Sequence, residues 1–199
     1  MRFALALFFI VLYQIPSNAQ VFPSELWHEG KLVLVSEDTL QGKLKYDLPK
    51  GIVQIDLNEK VYTYSAKNIF YFELYDITSE HYREFYVLPY GVASSYKTPV
   101  IFEVLVEGNI SLLSQEYVGV KNIQNPYSYG NYSKEVLVYD YYFLDKDGNI
   151  TKYTQKKKDL ITALAKRKNQ VVEYMKANRL RHDKRNDLVR IIAFYNALL

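Results

Sequence analysis

The side chains able to do chemistry in this chain are carboxylates, tyrosines and three histidines. Glu73, Asp76, Glu103, Glu107 and Asp140 fall in segments that alternate as strands. Two carboxyls facing one another across a sheet are what glycoside hydrolysis uses, one as acid and the other as base or nucleophile. No sequence spacing pairs any two of these, and solvated strand faces account for them more simply. His28, His81 and His182 lie far apart and outside any H-E-x-x-H cluster, so they form no zinc ligand set. Asp145, Asp147 and Asn149 have the opening spacing of a calcium loop. Gly148 then stands at loop position 4 instead of 6, and Lys156 occupies position 12, where a bidentate Glu belongs; a polar turn explains them better. There is no nucleophile elbow, phosphate-cradling glycine loop or dinucleotide fingerprint. With no cysteine the chain has no thiol nucleophile, disulfide or lipid-acceptor thiol. The expectation is no catalytic residue, no metal and no cofactor.

Tyrosine is the unusual residue, with 20 copies. Those at Tyr62, Tyr64, Tyr71, Tyr86, Tyr139, Tyr141 and Tyr142 alternate as strand residues do and suit half-buried sheet positions, ring packed and hydroxyl toward water. The stretch Lys121 to Lys134 differs. It carries Tyr127, Tyr129 and Tyr132 among Asn, Ser and Gly without strand alternation, and as a connector it is long enough to be uncommon without a function. These three tyrosines are the candidate binding residues, for a glycan or a protein partner. The alternative is a loop folded back so that its rings cover a sheet edge.

The elements that must position these residues are mostly strands. Gly30 to Asp47 reads as a hairpin with a polar turn at Ser36 to Thr39. Its second strand alternates Leu40, Gly42, Leu44 and Tyr46 with Gln41, Lys43 and Lys45. Gly42 inside a strand marks a bulge or a close backbone approach. Strands follow at 52–56, 60–65, 68–75, 84–88, 100–106, 110–115, 135–144 and 149–153. Gly108-Asn109 and Gly148-Asn149 supply hairpin turns. The fold class expected is α+β: an antiparallel β-meander over 20–154, barrel-like or a two-layer sandwich, followed by a C-terminal helical hairpin over 155–199. Leu160, Ile161, Leu164, Val171, Val172 and Met175 form one helical stripe; Asn178 to His182 break it, and Asp183 is the expected N-cap of a second helix carrying Leu188, Ile191, Ile192, Tyr195 and Leu198.

Met1 to Ala19 has one positive residue, an apolar run from Phe3 to Tyr13 and small residues at Ser17 and Ala19, the pattern of a secretory signal peptide cleaved before Gln20. The apolar run is shorter than the roughly 20 residues a membrane span needs. Charge is segregated: 151–199 hold 13 Lys and Arg against 4 Asp and Glu, whereas 20–150 hold 11 against 18. Basic helix faces docked on an acidic sheet explain this best; the functional alternative is a polyanion or membrane-surface contact. Nucleic acid is not an expected partner of an exported chain.

The opening hairpin, with Trp27, Gly30, Leu34, Asp38-Thr39-Leu40, Gly42 and Tyr46-Asp47, resembles a pattern in uncharacterised exported β-rich proteins of Bacteroidota-type bacteria. The segment Tyr142-Phe143 through Gly148, followed by a Lys-rich helix, is similar to their C-terminal parts. The resemblance implies an envelope location and a β-rich fold, and it carries no catalytic residues.

The reading is a non-catalytic exported cell-envelope protein, periplasmic, outer-membrane-associated or secreted, that binds a protein or glycan partner. One alternative is a peripheral membrane-surface protein using its basic helices, and a second is a secreted hydrolase. The oligomeric state is left open. N-terminal sequencing of the protein from its native host is expected to begin at Gln20; an intact Met1 would refute export.

Overall fold

The computed structural model describes residues 20–91, 96–124 and 131–199. Ten antiparallel strands form one continuous sheet: β1 His28–Leu34, β2 Thr39–Asp47, β3 Ile52–Leu57, β4 Lys60–Ser65, β5 Ile69–Asp76, β6 His81–Tyr90, β7 Thr98–Val106, β8 Ile110–Gln124, β9 Asn131–Asp145 and β10 Ile150–Tyr153. Their order is β10-β9-β8-β7-β6-β5-β1-β2-β3-β4. It is a meander broken once, where β5 returns to pair with the far side of β1. A single turn of 3-10 helix, Ala66–Asn68, joins β4 to β5. Three residues span no more than about 11 Å, so β4 must end close to where β5 begins although β1, β2 and β3 lie between them in the sheet. The sheet is therefore curled, the barrel-like of the two expected forms, and no second layer of strands packs on it among the described residues.

The curl has a local cause. Gly30 on β1 faces Gly42 on β2 and Leu74 on β5. A Cβ on Gly30 would stand 2.3 Å from the Glu73 carbonyl oxygen, and one on Gly42 would stand 2.4 Å from that of Asp56. These are close backbone approaches that side chains would forbid. The concave face collects one parity of every strand. Leu32, Leu44, Val53, Ile55, Phe72, Leu74, Phe85 and Ile101 make a core within the curled half, with Phe72 and Phe85 stacked at 4.4 Å.

On the other half of the sheet helices supply the second layer. They are α1 Lys157–Ala163, α2 Lys168–Ala177 and α3 Arg185–Ala197. Leu160, Leu164, Val171, Met175, Leu188, Ile191, Ile192 and Tyr195 are buried against Leu112, Tyr141, Phe143 and Tyr153, so the expected stripe is the packed one. The Asn196 amide accepts the Ile110 N–H at 3.0 Å and donates to its carbonyl at 2.9 Å, pinning the end of α3 to β8.

Two local expectations are corrected. The first helix is not continuous: after Ala163 the chain turns through a 3-10 segment, Ala165–Arg167, before α2. Nothing in the local sequence forbids a straight helix there. Nor does Asp183 cap α3. Lys184 holds the cap position without a side-chain hydrogen bond, because the Asp183 carboxylate is taken by the Arg181 guanidinium at 2.6 Å.

Candidate functional site

Between the two cores the inward parity of four neighbouring strands turns ionic. Asp76 at the end of β5, Arg83 on β6, Glu103 on β7 and Glu116 on β8 are each no more than 5% exposed. They continue the buried rows of Leu74, Phe85, Ile101 and Ser114. Arg83 is the hub. Its Nε and one terminal nitrogen grip the Glu103 carboxylate at 2.9 and 3.0 Å, a two-pronged contact. The same terminal nitrogen reaches Glu116 at 2.8 Å. The other terminal nitrogen donates to the Tyr46 hydroxyl at 2.7 Å and to Asp76 at 3.2 Å. All five guanidinium N–H groups are thus engaged. Tyr46, on β2, donates its own hydroxyl proton to Glu116. From the start of α3, Arg185 adds a bond to Glu103 at 2.7 Å, and its guanidinium lies 4.8 Å from the centre of the Tyr139 ring.

These contacts set the ionisation of Asp76, Glu103 and Tyr46. Burial alone would lift the Asp76 carboxyl, but the hydroxyl and N–H of Thr78, together with Arg83, hold it down at about 2. Burial opposes the Glu103 charge too, and Arg83 and Arg185 outweigh it, leaving that carboxyl below its ordinary value. Burial raises the Tyr46 phenol, and the Glu116 carboxylate adds to this, so the hydroxyl stays a donor. Each of the three carboxylates is hydrogen-bonded to Arg83, and none is left as a free base. The cluster is therefore built to hold charge, not to move protons.

Beside it a cleft of ≈ 800 Å³ opens between the end of β2 with the start of β3 and the β8–β9 hairpin. Leu48, Ile52, Val118 and Leu137 supply apolar walls, Lys45, Gln54 and Tyr117 polar ones, and Tyr46 and Glu116 bring the ionic cluster to its lining. One wall projects from the sheet. β7 pairs with β8 only as far as Ser114, and β10 with β9 only up to Tyr141. From there 115–124 and 131–140 pair with each other alone. This two-stranded arm exposes Tyr117, Val118, Val120 (69%) and Tyr132 (54%).

The arm corrects the expected loop. Residues 121–124 and 131–134 belong to the ladder, with Tyr132 opposite Ile123, and Ser133 donates to the Asn122 side chain at 2.8 Å across the strands. Polar residues on both strands hid the alternation. Tyr127 and Tyr129 lie outside the described residues.

Of the carboxylates singled out by type, Asp76 and Glu103 meet at Arg83. Glu73 goes to Lys31 on the convex face at 3.0 Å, and Asp140 goes to Lys152 at 2.7 Å. His28 is buried and structural: its Nε2 meets the Pro23 carbonyl at 2.7 Å and its Nδ1 accepts the Ile77 N–H. Asp145 closes its own turn through Asp147 and Asn149. Among the described residues no group of three or more His, Asp or Glu is placed to hold a metal. Sequence reading missed Tyr46, Arg83, Glu116 and Arg185 as a set. The available signal was opposite charge on adjacent strands at the apolar parity, Arg83 two before Phe85 and Glu103 two after Ile101.

No family model, curated protein or solved structure matches the chain, so the site is read from its geometry.

Replacing Arg83 by Met removes the partner that three buried carboxylates share, leaving Glu103 to Arg185, Asp76 to Thr78 and Glu116 to Tyr46, and is expected to cost about 3–5 kcal/mol at neutral pH. The pH dependence should then invert. Asp76 and Glu103 have lowered folded-state values, so their contribution in the wild type is complete above the unfolded carboxylate range near 4 and is lost as pH falls toward 2. In R83M the three carboxylates have only Arg185 as a cationic partner, so burial favours protonation of the excess charge, and stability should rise as pH drops from 7 to 5. Urea melts at several pH values check this; parallel profiles would refute it.

Proposed function

We propose that this chain is a non-catalytic, exported cell-envelope protein that binds an extended segment of a protein partner along the β8–β9 arm and the cleft beneath it. The observation carrying this reading is the arm itself. Among the described residues, ten residues of each strand pair with no strand but each other, and beside the exposed polar Lys121, Asn122, Ser133, Lys134 and Glu135 they expose the β-branched Val118 and Val120 and the aromatic Tyr117 and Tyr132. An isolated two-stranded ribbon is marginal in water, and its outer edges pair with no further strand among the described residues. Such an edge accepts a strand from a partner, and flanking pockets read alternate side chains. Aliphatic walls at Leu48, Ile52, Val118 and Leu137 suit the side chains of a peptide, and polar groups beside them, Lys45, Gln54, Gln115 and Tyr117 among them, can meet its backbone. Catalysis has weak support because each carboxylate lining the cleft is engaged elsewhere: Glu116 by Arg83 and Tyr46, Asp47 by Lys50 and Glu25 by the Phe22 N–H. Export, and kinship with envelope proteins, belong to the same proposal.

A second reading is favoured by one surface. Lys157, Lys176 and Arg179 ring a depression floored by Val172, Met175 and Leu180, a basic rim over apolar groups suited to a membrane surface. No helix among the described residues is long and apolar enough to cross a membrane.

Val120→Lys and Tyr132→Ala alter exposed arm positions and should change stability by no more than about 0.5 kcal/mol. Crosslinked capture from the native envelope, beside a glycan array, is expected to return a protein partner with the wild type and to lose it with both variants. Variants that capture as well as the wild type would overturn the arm reading. Release of the wild type from envelopes by a high-salt wash, with the arm variants released alike, would favour the basic helices.

A further inference from the structure

The two ends of the sheet are treated differently. β10 is four residues long, and its Lys152 is held by Asp140 on the neighbouring strand. β4 is six residues, Lys-Val-Tyr-Thr-Tyr-Ser, with no proline, and all but Tyr64 are exposed. Val61 and Tyr62 are 53% and 45% exposed. Its outer edge pairs with no strand among the described residues; Lys60 at one end is its one charged residue, and the strand carries no bulge, proline or inward charge to block edge pairing.

We propose that β4 pairs antiparallel with β4 of a second copy of this chain, about a two-fold axis through Thr63, joining two sheets edge to edge. A two-fold axis normal to the sheet makes the contact isologous and requires facing residues to lie on the same face, so the register must centre on one residue. Centred on Thr63, it sets Tyr62 opposite Tyr64 of the second copy, and Tyr64 opposite Tyr62 of the second copy. Thr63 faces its own counterpart. Aromatic and Thr–Thr pairs are both stabilising at directly opposed antiparallel positions, and no like charges meet.

Charge then selects this register. Following the same pairing into the flanking turns brings Glu59 toward Lys67 of the second copy at each end. Both are exposed, and neither forms an ion pair within the chain among the described residues. Centring on Tyr62 instead would place Lys60 opposite Tyr64 and Glu59 opposite Ser65, losing both ion pairs and keeping one aromatic pair, Tyr62 with its own counterpart, in place of two. A second copy supplies the opposite charge at both ends of this edge and a facing aromatic ring at both positions beside Thr63.

Sedimentation of the purified protein over a concentration series is the test. A dimer is expected. Glu59→Lys should weaken it about tenfold, since each dimer loses two rim ion pairs and gains two repulsions. Adding Lys67→Glu to the same chain should restore wild-type association, and Tyr62→Lys, at an exposed site, should abolish it, with circular dichroism confirming the fold of each variant. Val120→Lys on the arm should leave the dimer intact, which separates this inference from the arm's binding role. A monomer at every concentration, a dimer indifferent to Glu59→Lys, or a double charge swap as weak as the single change would overturn it.

Discussion

A buried guanidinium is costly to desolvate, and Arg83 can stay charged inside this protein only if every one of its donors finds an acceptor. Meeting that condition draws in five partners from different elements: Tyr46 on β2, Asp76 on β5, Glu103 on β7, Glu116 on β8 and, through Glu103, Arg185 on α3. The penalty for losing any one of them is greater than the net stabilisation of the complete set, because an incomplete cluster leaves charge stranded in a low-dielectric site. Such a cluster favours one arrangement over its near neighbours. A register slip in β6, β7 or β8 would turn its charge outward and break the set.

The rest of the fold is arranged around that condition. The curled half, seamed at Gly30 and Gly42, brings β2 across the concave face so that Tyr46 reaches Glu116, 70 residues away in sequence. The helices close the other half, and the first residue of α3 supplies Arg185. Two apolar cores, one inside the curl and one beneath the helices, meet at the cluster. Past it the inward parity of β8 and β9 has neither core to pack against. There the two strands leave the sheet as the arm, and the cleft opens between the arm and β2–β3.

Much of this was legible in the sequence because it depends on local period. Leu40, Gly42, Leu44 and Tyr46 alternate plainly, Gly42 marked a close backbone approach, and the stripe from Leu160 to Met175 is packed as its spacing requires. What was not legible depends on long-range partners. Arg83, Glu103 and Glu116 each look like solvated strand charges until the sheet order places them side by side. Asp183 is a good cap by residue type and loses that role to Arg181. The arm escaped notice because Asn122, Ser133 and Lys134 interrupt the apolar alternation that strand reading relies on, while their backbones pair regularly.

The central claim is that the Arg83 cluster ties the curl to the body of the sheet, and that the cleft exists because the tie holds. Its most direct test is a double-mutant cycle between Tyr46→Phe and Glu116→Gln, read by urea unfolding. These two residues sit on opposite sides of the concave face and touch through one hydroxyl. A coupling of about 1–3 kcal/mol is expected for partners within one buried network. Losses that add within about 0.3 kcal/mol would mean the two sides of the curl do not communicate through the cluster, and would contradict the account.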